Sequence, residues 1–234
     1  MDPLASIAAE PGDTGLFLDI DGVLAPIVPR PEDARVPEKT RGELRRLARR
    51  YRLVACVTGR DSAVAREIVG VPELTYAGEH GLELDPRARE WGPRIHAFAA
   101  DAPWPEERKP LSVAFHYRTA TDEEAARSAL EEIAAGAREQ GFRTRWGRMV
   151  LEVLPPIDAS KGTAVRSLLE ETGLRRALYA GDDVTDLDGF AALDGLDLAV
   201  RVAVASAESP SELAQRADMQ VSDPSAFVEI LRQI

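Results

Sequence analysis

Asp19 and Asp21 are the residues of this chain whose types and spacing best suit chemistry. They follow the apolar run Leu16-Phe17-Leu18 and precede Gly22. The run predicts a buried parallel strand over about 15–19, and open α/β sheets bind ligands at the carboxyl ends of such strands. Positions i and i+2 of a strand face the same side, so one carboxylate can attack a substrate while its neighbour transfers protons. An Asp-Gly turn is the alternative, although two like charges there cost stability unless a cation compensates them.

Two further motifs lie where strands are predicted to end or helices to begin. Thr58-Gly59-Arg60 follows a predicted strand over about 53–57, where a hydroxyl and backbone N–H groups either hold a phosphoryl oxygen or cap the next helix. Ser160-Lys161-Gly162 opens a predicted helix over about 159–172. Because a lysine opposes the helix dipole at that end, Lys161 indicates either a functional site or an ordinary surface lysine.

A third motif is rich in carboxylates and follows the apolar run over 177–180. It is Gly181-Asp182-Asp183-Val184-Thr185-Asp186-Leu187-Asp188. Carboxylate oxygens suit Mg²⁺, which proteins usually hold with one or two carboxylates and several waters. Asp186 and Asp188 also suit a helix N-terminus, where the dipole favours negative charge. That alternative does not explain Asp182 and Asp183, so the motif predicts a magnesium site at a strand end.

The composition is that of a globular protein with an acidic balance. The chain has 234 residues, of which 44% are hydrophobic and 29% charged, and its formal net charge is −11. This charge argues against nucleic-acid binding and against anionic membrane surfaces. No apolar segment approaches the ~20 residues of a membrane span, and the N-terminus does not resemble a leader, so we expect a cytoplasmic location. The single cysteine, Cys56, lies in an apolar run and is expected in the core.

The order of elements predicts an α/β fold with a Rossmann-like parallel sheet, interrupted by an inserted domain. The predicted core strands lie at about 15–19, 53–57, 74–78, 177–180, 197–202 and 218–221, and the core helices at about 38–50, 61–69, 159–172, 185–193 and 224–232. The insert has predicted strands at about 111–118, 142–146 and 149–154 and a helix at about 121–139. Its alternating pattern and short connections favour an antiparallel sheet. We expect a discontinuous core over 1–84 and 158–234 and an α+β cap domain over 85–157.

The four motifs, in this order, resemble those of the haloacid-dehalogenase-like phosphatases. The resemblance implies that Asp19 is a nucleophile that forms an aspartyl-phosphate and that Asp21 is first the general acid and then the base. It implies that Thr58 bonds the phosphoryl group and that Lys161 orients Asp19. The implied ligands of Mg²⁺ are the Asp19 carboxylate, the Asp21 backbone carbonyl and Asp182, with Asp183 and Asp186 behind them holding metal-bound water or Lys161.

The insert and its flanks resemble the trehalose-6-phosphate phosphatases within that superfamily. The matching segments are Gly78-Glu79-His80-Gly81, Lys109 before His116-Tyr117-Arg118, Glu152 in a strand, and the Gly-Asp-Asp-Val-Thr-Asp form of the acidic motif. The resemblance implies hydrolysis of trehalose 6-phosphate to trehalose and phosphate, and a functional link to a trehalose-6-phosphate synthase. The implied substrate-binding residues are Gly59, Arg60, Glu79, His80, Lys109, His116, Arg118 and Glu152.

Other activities fit the same motifs. The nearest alternative is a phosphatase for another sugar phosphate, such as sucrose 6-phosphate or a glycosyl-phosphoglycerate. A phosphomutase, which would keep the aspartyl-phosphate from water, is a further alternative that the large insert does not exclude. A non-catalytic sugar-phosphate sensor or synthase-associated subunit is disfavoured, because a binding module does not need the second carboxylate at Asp21. Glu152 on a half-exposed strand has the further alternative of simply facing water.

Overall fold

The apolar run before Asp19 is a fully buried strand, β1 (Thr14–Leu18), in the computed structural model of the chain. The structure describes residues 2–147, 149–205 and 209–234. They divide into two compact units, one comprising Met1–Gly81 and Ala159–Ile234 and the other Leu82–Asp158. Among these residues, no helix is both long enough and apolar enough to cross a membrane.

Helices and strands alternate along most of the first unit. Its N-terminal part contains α1 (Pro3–Ala9), β1, α2 (Glu38–Arg50), β2 (Leu53–Val57), α3 (Ser62–Val69) and β3 (Thr75–Ala77). The second unit contains α4 (Gly92–Ala100), β4 (Glu107–Arg108), β5 (Val113–His116), α5 (Glu123–Glu139), β6 (Arg143–Gly147) and β7 (Val150–Leu154). The first unit resumes with α6 (Lys161–Thr172), β8 (Arg176–Gly181), α7 (Asp186–Ala191), β9 (Leu198–Val204), α8 (Ser211–Arg216), β10 (Met219–Val221) and α9 (Pro224–Gln233).

The sheet of the first unit is parallel throughout its described strands, in the order β10-β9-β8-β1-β2-β3. Strand β1 pairs with β2 on one side and β8 on the other, so that Leu18 lies beside Cys56 and Ala180. The carboxyl ends of parallel strands meet at one edge of the sheet. The register therefore makes neighbours of the residues that follow β1, β2 and β8.

Both faces of this sheet are covered, as the continuous apolar run in β1 predicts. Successive side chains of a strand point to opposite faces, so Leu16 and Leu18 join one hydrophobic cluster with side chains of α2 and α9. Phe17 joins the cluster on the other face with Val165 of α6. Cys56 is buried in the first cluster as a free thiol, which confirms its expected place in the core.

The second unit is an antiparallel sheet with helices packed on one face. Its strand order is β4-β5-β7-β6. Val113, Phe115, Leu151 and Val153 are buried in one cluster with side chains of α4 and α5. The residues between them in the strands face the other side, where the register aligns Glu107, Ala114, Glu152 and Arg145 in one row across the sheet. One face of this sheet is therefore apolar and the other carries charged groups.

Among the helices and strands named above, α1, α4, β4 and α8 have no counterpart in the sequence-based predictions. Helix α4 lies in the proline-rich segment 85–110, to which the sequence assigned neither helix nor strand. Pro93 occupies the first turn of this helix, where the missing N–H has no intrahelical partner to lose. Ile95 and Ala99 of the helix are buried. Proline content alone was therefore a misleading signal here.

Two strand ends differ from the predictions at functionally interesting positions. Strand β1 ends at Leu18, so Asp19 and Asp21 lie in the loop after it rather than on one side of a strand. Strand β5 ends at His116, and Arg118 lies in the following turn. The two aspartates therefore do not share a strand face: the Asp19 N–H still bonds to the Ala180 carbonyl, but both residues lie beyond the last residue of β1.

Helix α6 begins at the motif that contains Lys161. Ser160 caps it: the Ser160 hydroxyl accepts a hydrogen bond from the Thr163 N–H at 3.3 Å, and the Thr163 hydroxyl accepts one from the Ser160 N–H at 2.8 Å. This reciprocal capping box satisfies two N–H groups of the first turn. The cap therefore fixes where the helix begins and, with it, the backbone position of Lys161.

Replacing Ser160→Ala removes one side of this box and is expected to lower the free energy of unfolding by about 1 kcal/mol. Urea denaturation measures the change. Ser167→Ala is the matched control, because Ser167 is exposed within the same helix. We expect that control to change stability by less than about 0.5 kcal/mol. Equal losses in the two variants would contradict the capping assignment.

Candidate active site

The Lys161 side chain lies between two buried carboxylates of the first unit. Its Nζ atom is 2.8 Å from Asp19 Oδ2 and 2.7 Å from Asp186 Oδ1. The exposed fractions of the three side chains are 3% for Lys161, 7% for Asp19 and 0% for Asp186. A surface lysine is therefore ruled out, since this ammonium group is buried and ion-paired to both residues.

Asp186 organises the loop after β8. Its Oδ1 atom also accepts a hydrogen bond from the Tyr179 hydroxyl at 2.7 Å. Its Oδ2 atom accepts hydrogen bonds from the backbone N–H groups of Asp182 and Asp183, both at 3.0 Å. These bonds engage both carboxylate oxygens of Asp186 and fix the backbone of Asp182. Asp186 thus acts as a support for Lys161 and the acidic loop.

Close backbone approach brings the Asp182 carboxylate to the loop after β1. Gly22 has a φ of +79°, and a Cβ atom added there would lie 2.2 Å from Asp182 Oδ2. The backbone N–H of Asp19 donates to the Ala180 carbonyl at 3.0 Å, which ties the first loop to β8. Glycine is needed at position 22 for both its left-handed backbone and the space it leaves.

The buried charges shift one another's ionisation. Burial raises the pKa of the Asp19 carboxyl to about 7, against the opposing effect of the Lys161 charge. Burial, together with repulsion from Asp19 and Asp186, raises the pKa of Asp182 to about 9. Burial lowers the pKa of Lys161, but the charges of Asp186 and Asp19 outweigh it and leave the pKa above its ordinary value. One lysine therefore does not neutralise this group of carboxylates.

The acidic group has the donor chemistry of a hard divalent cation. Asp19, Asp182 and Asp186 each offer an oxygen, and these oxygens lie within 4.8 Å of one another. Because the Asp186 oxygens already accept bonds from Lys161, Tyr179 and two backbone N–H groups, Asp19 and Asp182 are the better candidates for direct ligands. A cation there would offset the burial of these charges and the repulsion between them, which together raise both pKa values.

Asp21 has a different partner from Asp19. The Arg60 guanidinium donates to both of its oxygens, from Nε to Oδ2 at 2.6 Å and from Nη2 to Oδ1 at 2.8 Å. Thr58 is buried, and its hydroxyl accepts from the Arg60 N–H at 3.2 Å. The structure thus separates the two aspartates by giving each its own cation.

The Glu79-His80 segment lies beside the Thr58 loop. Both residues have left-handed backbone conformations, with φ of 46° and 55°. The Glu79 N–H donates to the Arg60 carbonyl and the His80 N–H to the Thr58 carbonyl, both at 2.8 Å. The His80 ring lies against Gly59. These contacts bring the two motifs together in the first unit.

Four other sequence-predicted residues belong to the second unit. Glu152 is buried, with Oε1 3.0 Å from Lys109 Nζ and Oε2 2.7 Å from Arg145 Nη2. His116 is exposed and pairs with Glu107. Arg118 is also exposed. Glu152 therefore does not simply face water, because its charge is enclosed between two cations.

Two residues at these positions were missed in the sequence. Tyr179 was read as part of an apolar run, although a buried tyrosine hydroxyl generally needs a hydrogen-bond partner, and that requirement was the available signal. Arg145 lies opposite Glu152 in the register of β6 and β7. The sequence pattern of β6 did not reveal that pairing.

Asp183, a sequence-predicted residue of the acidic motif, is partly exposed, and its carboxylate accepts a hydrogen bond from the Val184 N–H at 2.7 Å.

Comparisons with known proteins agree with this arrangement. Residues 17–104 and 105–225 match the family model described as Trehalose-phosphatase. A trehalose-phosphate phosphatase of Mycobacterium avium (strain 104) is 34% identical over 226 residues, which is 82% of this chain and 56% of that protein. The chain thus spans little more than half the length of this curated relative.

Solved structures share the fold. The crystal structure of a trehalose-6-phosphate phosphatase related protein has a TM-score of 0.69 and 27% identity, covering 93% of this chain and 95% of that one. A haloacid dehalogenase-like hydrolase from Bacteroides thetaiotaomicron has a TM-score of 0.63 at 15% identity, covering 94% and 98%. The second likeness concerns the fold, and it confirms the haloacid-dehalogenase-like architecture predicted from the motifs.

Asp182→Asn is expected to stabilise the metal-free protein above neutral pH. The folded-state pKa of Asp182 is raised from 3.8 to about 9, so the folded protein holds this proton more tightly than the unfolded chain. Stability then falls as pH rises between those values, and the amide removes that fall. At about pH 8 in EDTA we expect a gain on the order of 1–3 kcal/mol in urea denaturation.

Asp188→Asn serves as the matched control for this variant, because Asp188 is exposed in the same acidic motif. It should not reproduce the gain in stability above neutral pH. An Asp182→Asn protein that is no more stable than wild type above neutral pH would contradict the raised pKa of Asp182, which burial and repulsion from the other carboxylates explain.

Proposed function

The chain belongs to the trehalose-phosphatase family, and on that premise we propose that it hydrolyses trehalose 6-phosphate to trehalose and phosphate. The observation that carries the proposal is the buried Lys161 between Asp19 and Asp186, with Asp182 at the same sheet edge. Burying this many charges costs stability, and this cost is understandable where the charges serve a reaction or a ligand. Phosphoryl transfer needs such a group, because positioning and charge neutralisation provide most of its acceleration.

The donor set favours Mg²⁺ as the cation. Asp19, Asp182 and the Asp21 backbone carbonyl would hold it, as the resemblance implies, with Asp183 and Asp186 behind them. Mg²⁺ supplies positive charge that offsets the repulsion between the carboxylates and the phosphoryl oxygens. These oxygen donors match the preference of Mg²⁺ for carboxylates and carbonyls.

Asp19 performs the first half of the reaction. Its carboxylate oxygen forms a bond to phosphorus while the bond from phosphorus to the sugar oxygen breaks. The electron pair of that bond goes to the sugar oxygen, which takes a proton from the Asp21 carboxyl group. Trehalose then leaves, and the phosphoryl group remains on Asp19 as an aspartyl-phosphate. Lys161 holds Asp19 in position and balances part of the negative charge.

Asp21 also acts in the second half. It takes a proton from water while the water oxygen attacks phosphorus and the bond between phosphorus and the Asp19 oxygen breaks. Phosphate leaves and Asp19 regains its carboxylate, while Asp21 again carries a proton for the next cycle. We assign Thr58 to a hydrogen bond with a phosphoryl oxygen, because its hydroxyl is at the carboxyl end of β2 beside these residues.

We assign recognition of the sugar to the second unit, as its substrate-specificity or cap domain. The charged face of its sheet carries Glu152 with Lys109 and Arg145, and His116 and Arg118 lie at the end of β5 and in the turn after it. Carboxylate and ammonium groups fixed by one another present donors and acceptors to sugar hydroxyls at low entropic cost. The resemblance adds Gly59, Glu79 and His80 of the first unit to the substrate residues.

Two sequence-based expectations concern the cellular setting. We propose a cytoplasmic location, which the composition supports through the lack of apolar segments of membrane-spanning length. A functional link to a trehalose-6-phosphate synthase stays a prediction of the resemblance. Sucrose 6-phosphate and glycosyl-phosphoglycerates remain the substrates to test against trehalose 6-phosphate.

The deciding experiment is a phosphate-release assay on these sugar phosphates. With Mg²⁺ we expect trehalose 6-phosphate to be hydrolysed with the highest kcat/KM, by about tenfold or more over the others. EDTA should abolish turnover and added Mg²⁺ should restore it. Asp19→Asn should lower kcat at least about a thousandfold, because the amide is a poor nucleophile.

Asp13→Asn provides the control, because Asp13 is exposed just before β1 begins, whereas Asp19 follows its end. It should retain wild-type turnover. Retained turnover in a folded Asp19→Asn protein would remove the nucleophile assignment, and preference for another sugar phosphate would remove trehalose 6-phosphate as the substrate.

Glu152→Gln tests the role of the second unit in sugar recognition. The change keeps the shape of the side chain but weakens its bonds to Lys109 and Arg145, so both cations lose their fixed position. We expect kcat/KM for trehalose 6-phosphate to fall about tenfold to a hundredfold, and that for a small aryl phosphate less than about threefold. Exposed Glu139→Gln on α5 is the control. Equal losses on both substrates would place Glu152 outside the sugar site.

A further inference from the structure

Arg60 and Asp21 form the best-oriented ion pair among the described residues near the active site. Two different nitrogens of the guanidinium meet two different oxygens of the carboxylate, at 2.6 Å and 2.8 Å. Such a bidentate pair fixes the plane of the carboxylate as well as its distance. The exposed fraction of the Arg60 side chain is only 16%, whereas that of Asp21 is 37%. The arginine is therefore the better-anchored partner.

Arg60 is anchored by contacts with three further residues of the first unit. Its Nη1 atom donates to the Pro31 carbonyl at 3.0 Å. Its backbone N–H donates to the Thr58 hydroxyl at 3.2 Å, and its carbonyl accepts from the Glu79 N–H at 2.8 Å. Holding an arginine at both its backbone and its guanidinium reduces the rotamer freedom that a long side chain otherwise keeps. These contacts hold the Arg60 side chain and backbone in one position.

The two aspartates of the loop after β1 thus have separate cations. Lys161 contacts Asp19, and Arg60 contacts Asp21. A carboxylate has about four lone-pair sites, so the two bonds from Arg60 leave sites on Asp21 for other groups. We propose that Arg60 is a positioning residue for Asp21, aiming its carboxyl group at the leaving oxygen, rather than a direct ligand of the substrate as the resemblance implies. This inference rests on the proposed function, in which Asp21 gives a proton to that oxygen.

The role predicts a dependence on the leaving group. The value of kcat/KM reports the steps up to departure of the leaving group, and so excludes the later attack by water. An alcohol such as trehalose needs a proton as it leaves, whereas 2,4-dinitrophenolate leaves without one. Misplacing Asp21 should therefore slow the release of trehalose and spare the release of dinitrophenolate. Loss of a phosphate ligand would instead slow both reactions alike.

The experiment compares Arg60→Met and Arg60→Lys with Asp21→Asn on trehalose 6-phosphate and 2,4-dinitrophenyl phosphate. General acid catalysis contributes about a hundredfold to ten-thousandfold to the rate. Asp21→Asn should therefore lower kcat/KM by an amount of this order for trehalose 6-phosphate, and not for the aryl phosphate. Arg60→Met should lose about tenfold to a hundredfold in kcat/KM on trehalose 6-phosphate and less than about threefold on the aryl phosphate. Arg60→Lys, which keeps the charge without the bidentate geometry, should show the same selectivity with a smaller loss.

Competitive inhibition by inorganic phosphate provides the second measurement. Its inhibition constant should change less than about threefold in both Arg60 variants, because the inferred contact is with Asp21. Arg66→Met is the matched control: that guanidinium donates to the Pro72 carbonyl and lies over the Tyr76 ring. It should leave kcat/KM for both substrates unchanged. Thermal unfolding identifies any variant that fails to fold, and the charge-conserving Arg60→Lys then decides.

The outcomes separate the inference from the function on which it rests. If Asp21→Asn loses both substrates equally, the acid role of Asp21 fails and the positioning role fails with it. If Asp21→Asn is selective but neither Arg60 variant is, the positioning role alone is overturned. Equal losses on both substrates with weaker phosphate inhibition in the Arg60 variants would make Arg60 a phosphate ligand and overturn the inference.

Discussion

The position of the Lys161 ammonium group between Asp19 and Asp186 is the constraint on which the rest of the first unit depends. Removing three charges from water costs several kcal/mol for each ion unless their mutual geometry repays it. The 2.7 and 2.8 Å contacts meet that condition only while the end of β1, the start of α6 and the start of α7 stay together. A cap fixes the start of α6, and hydrogen bonds from Tyr179 and the acidic loop fix Asp186. The same ion pairs therefore constrain the backbone and hold the Asp19 side chain in place.

Asp19 and Asp21 lie close together but have unequal environments. Asp19 is buried beside Lys161 and close to Asp182, where negative charge is in excess and the pKa of each carboxyl is raised. Asp21 is more exposed and forms an ion pair with Arg60. Proteins that need one carboxylate to attack and another to carry protons separate them in this way, by burial and by partner rather than by residue type. In this chain the separation begins where β1 ends, because the loop after it turns the two side chains toward different cations.

The second unit also holds buried charges with ion pairs, on one face of an antiparallel sheet. Its sheet buries an apolar face under α4 and α5, and that face forms a hydrophobic core. The opposite face carries Glu152 between Lys109 and Arg145, an arrangement that apolar residues would replace without loss if stability were its only purpose. A fixed group of donors and acceptors on a rigid sheet suits recognition of a hydroxyl-rich ligand. Each of the two sheets thus carries charged groups that are held in place by ion pairs.

The sequence by itself determined the parallel core, the second α+β unit and the order of the four motifs, because continuous apolar runs, alternating strands and helix signals are local patterns. It also indicated Asp19, Thr58, Lys161 and Asp182 as neighbours, since the ends of parallel strands meet at one edge. It did not determine where β1 ends, that α4 forms in a proline-rich segment, or that Tyr179 and Arg145 hold Asp186 and Glu152. The pairing of Arg60 with Asp21 likewise joins residues 39 positions apart in the sequence. Only the tertiary structure decided these contacts, because each depends on the strand register and side-chain packing that bring distant residues together.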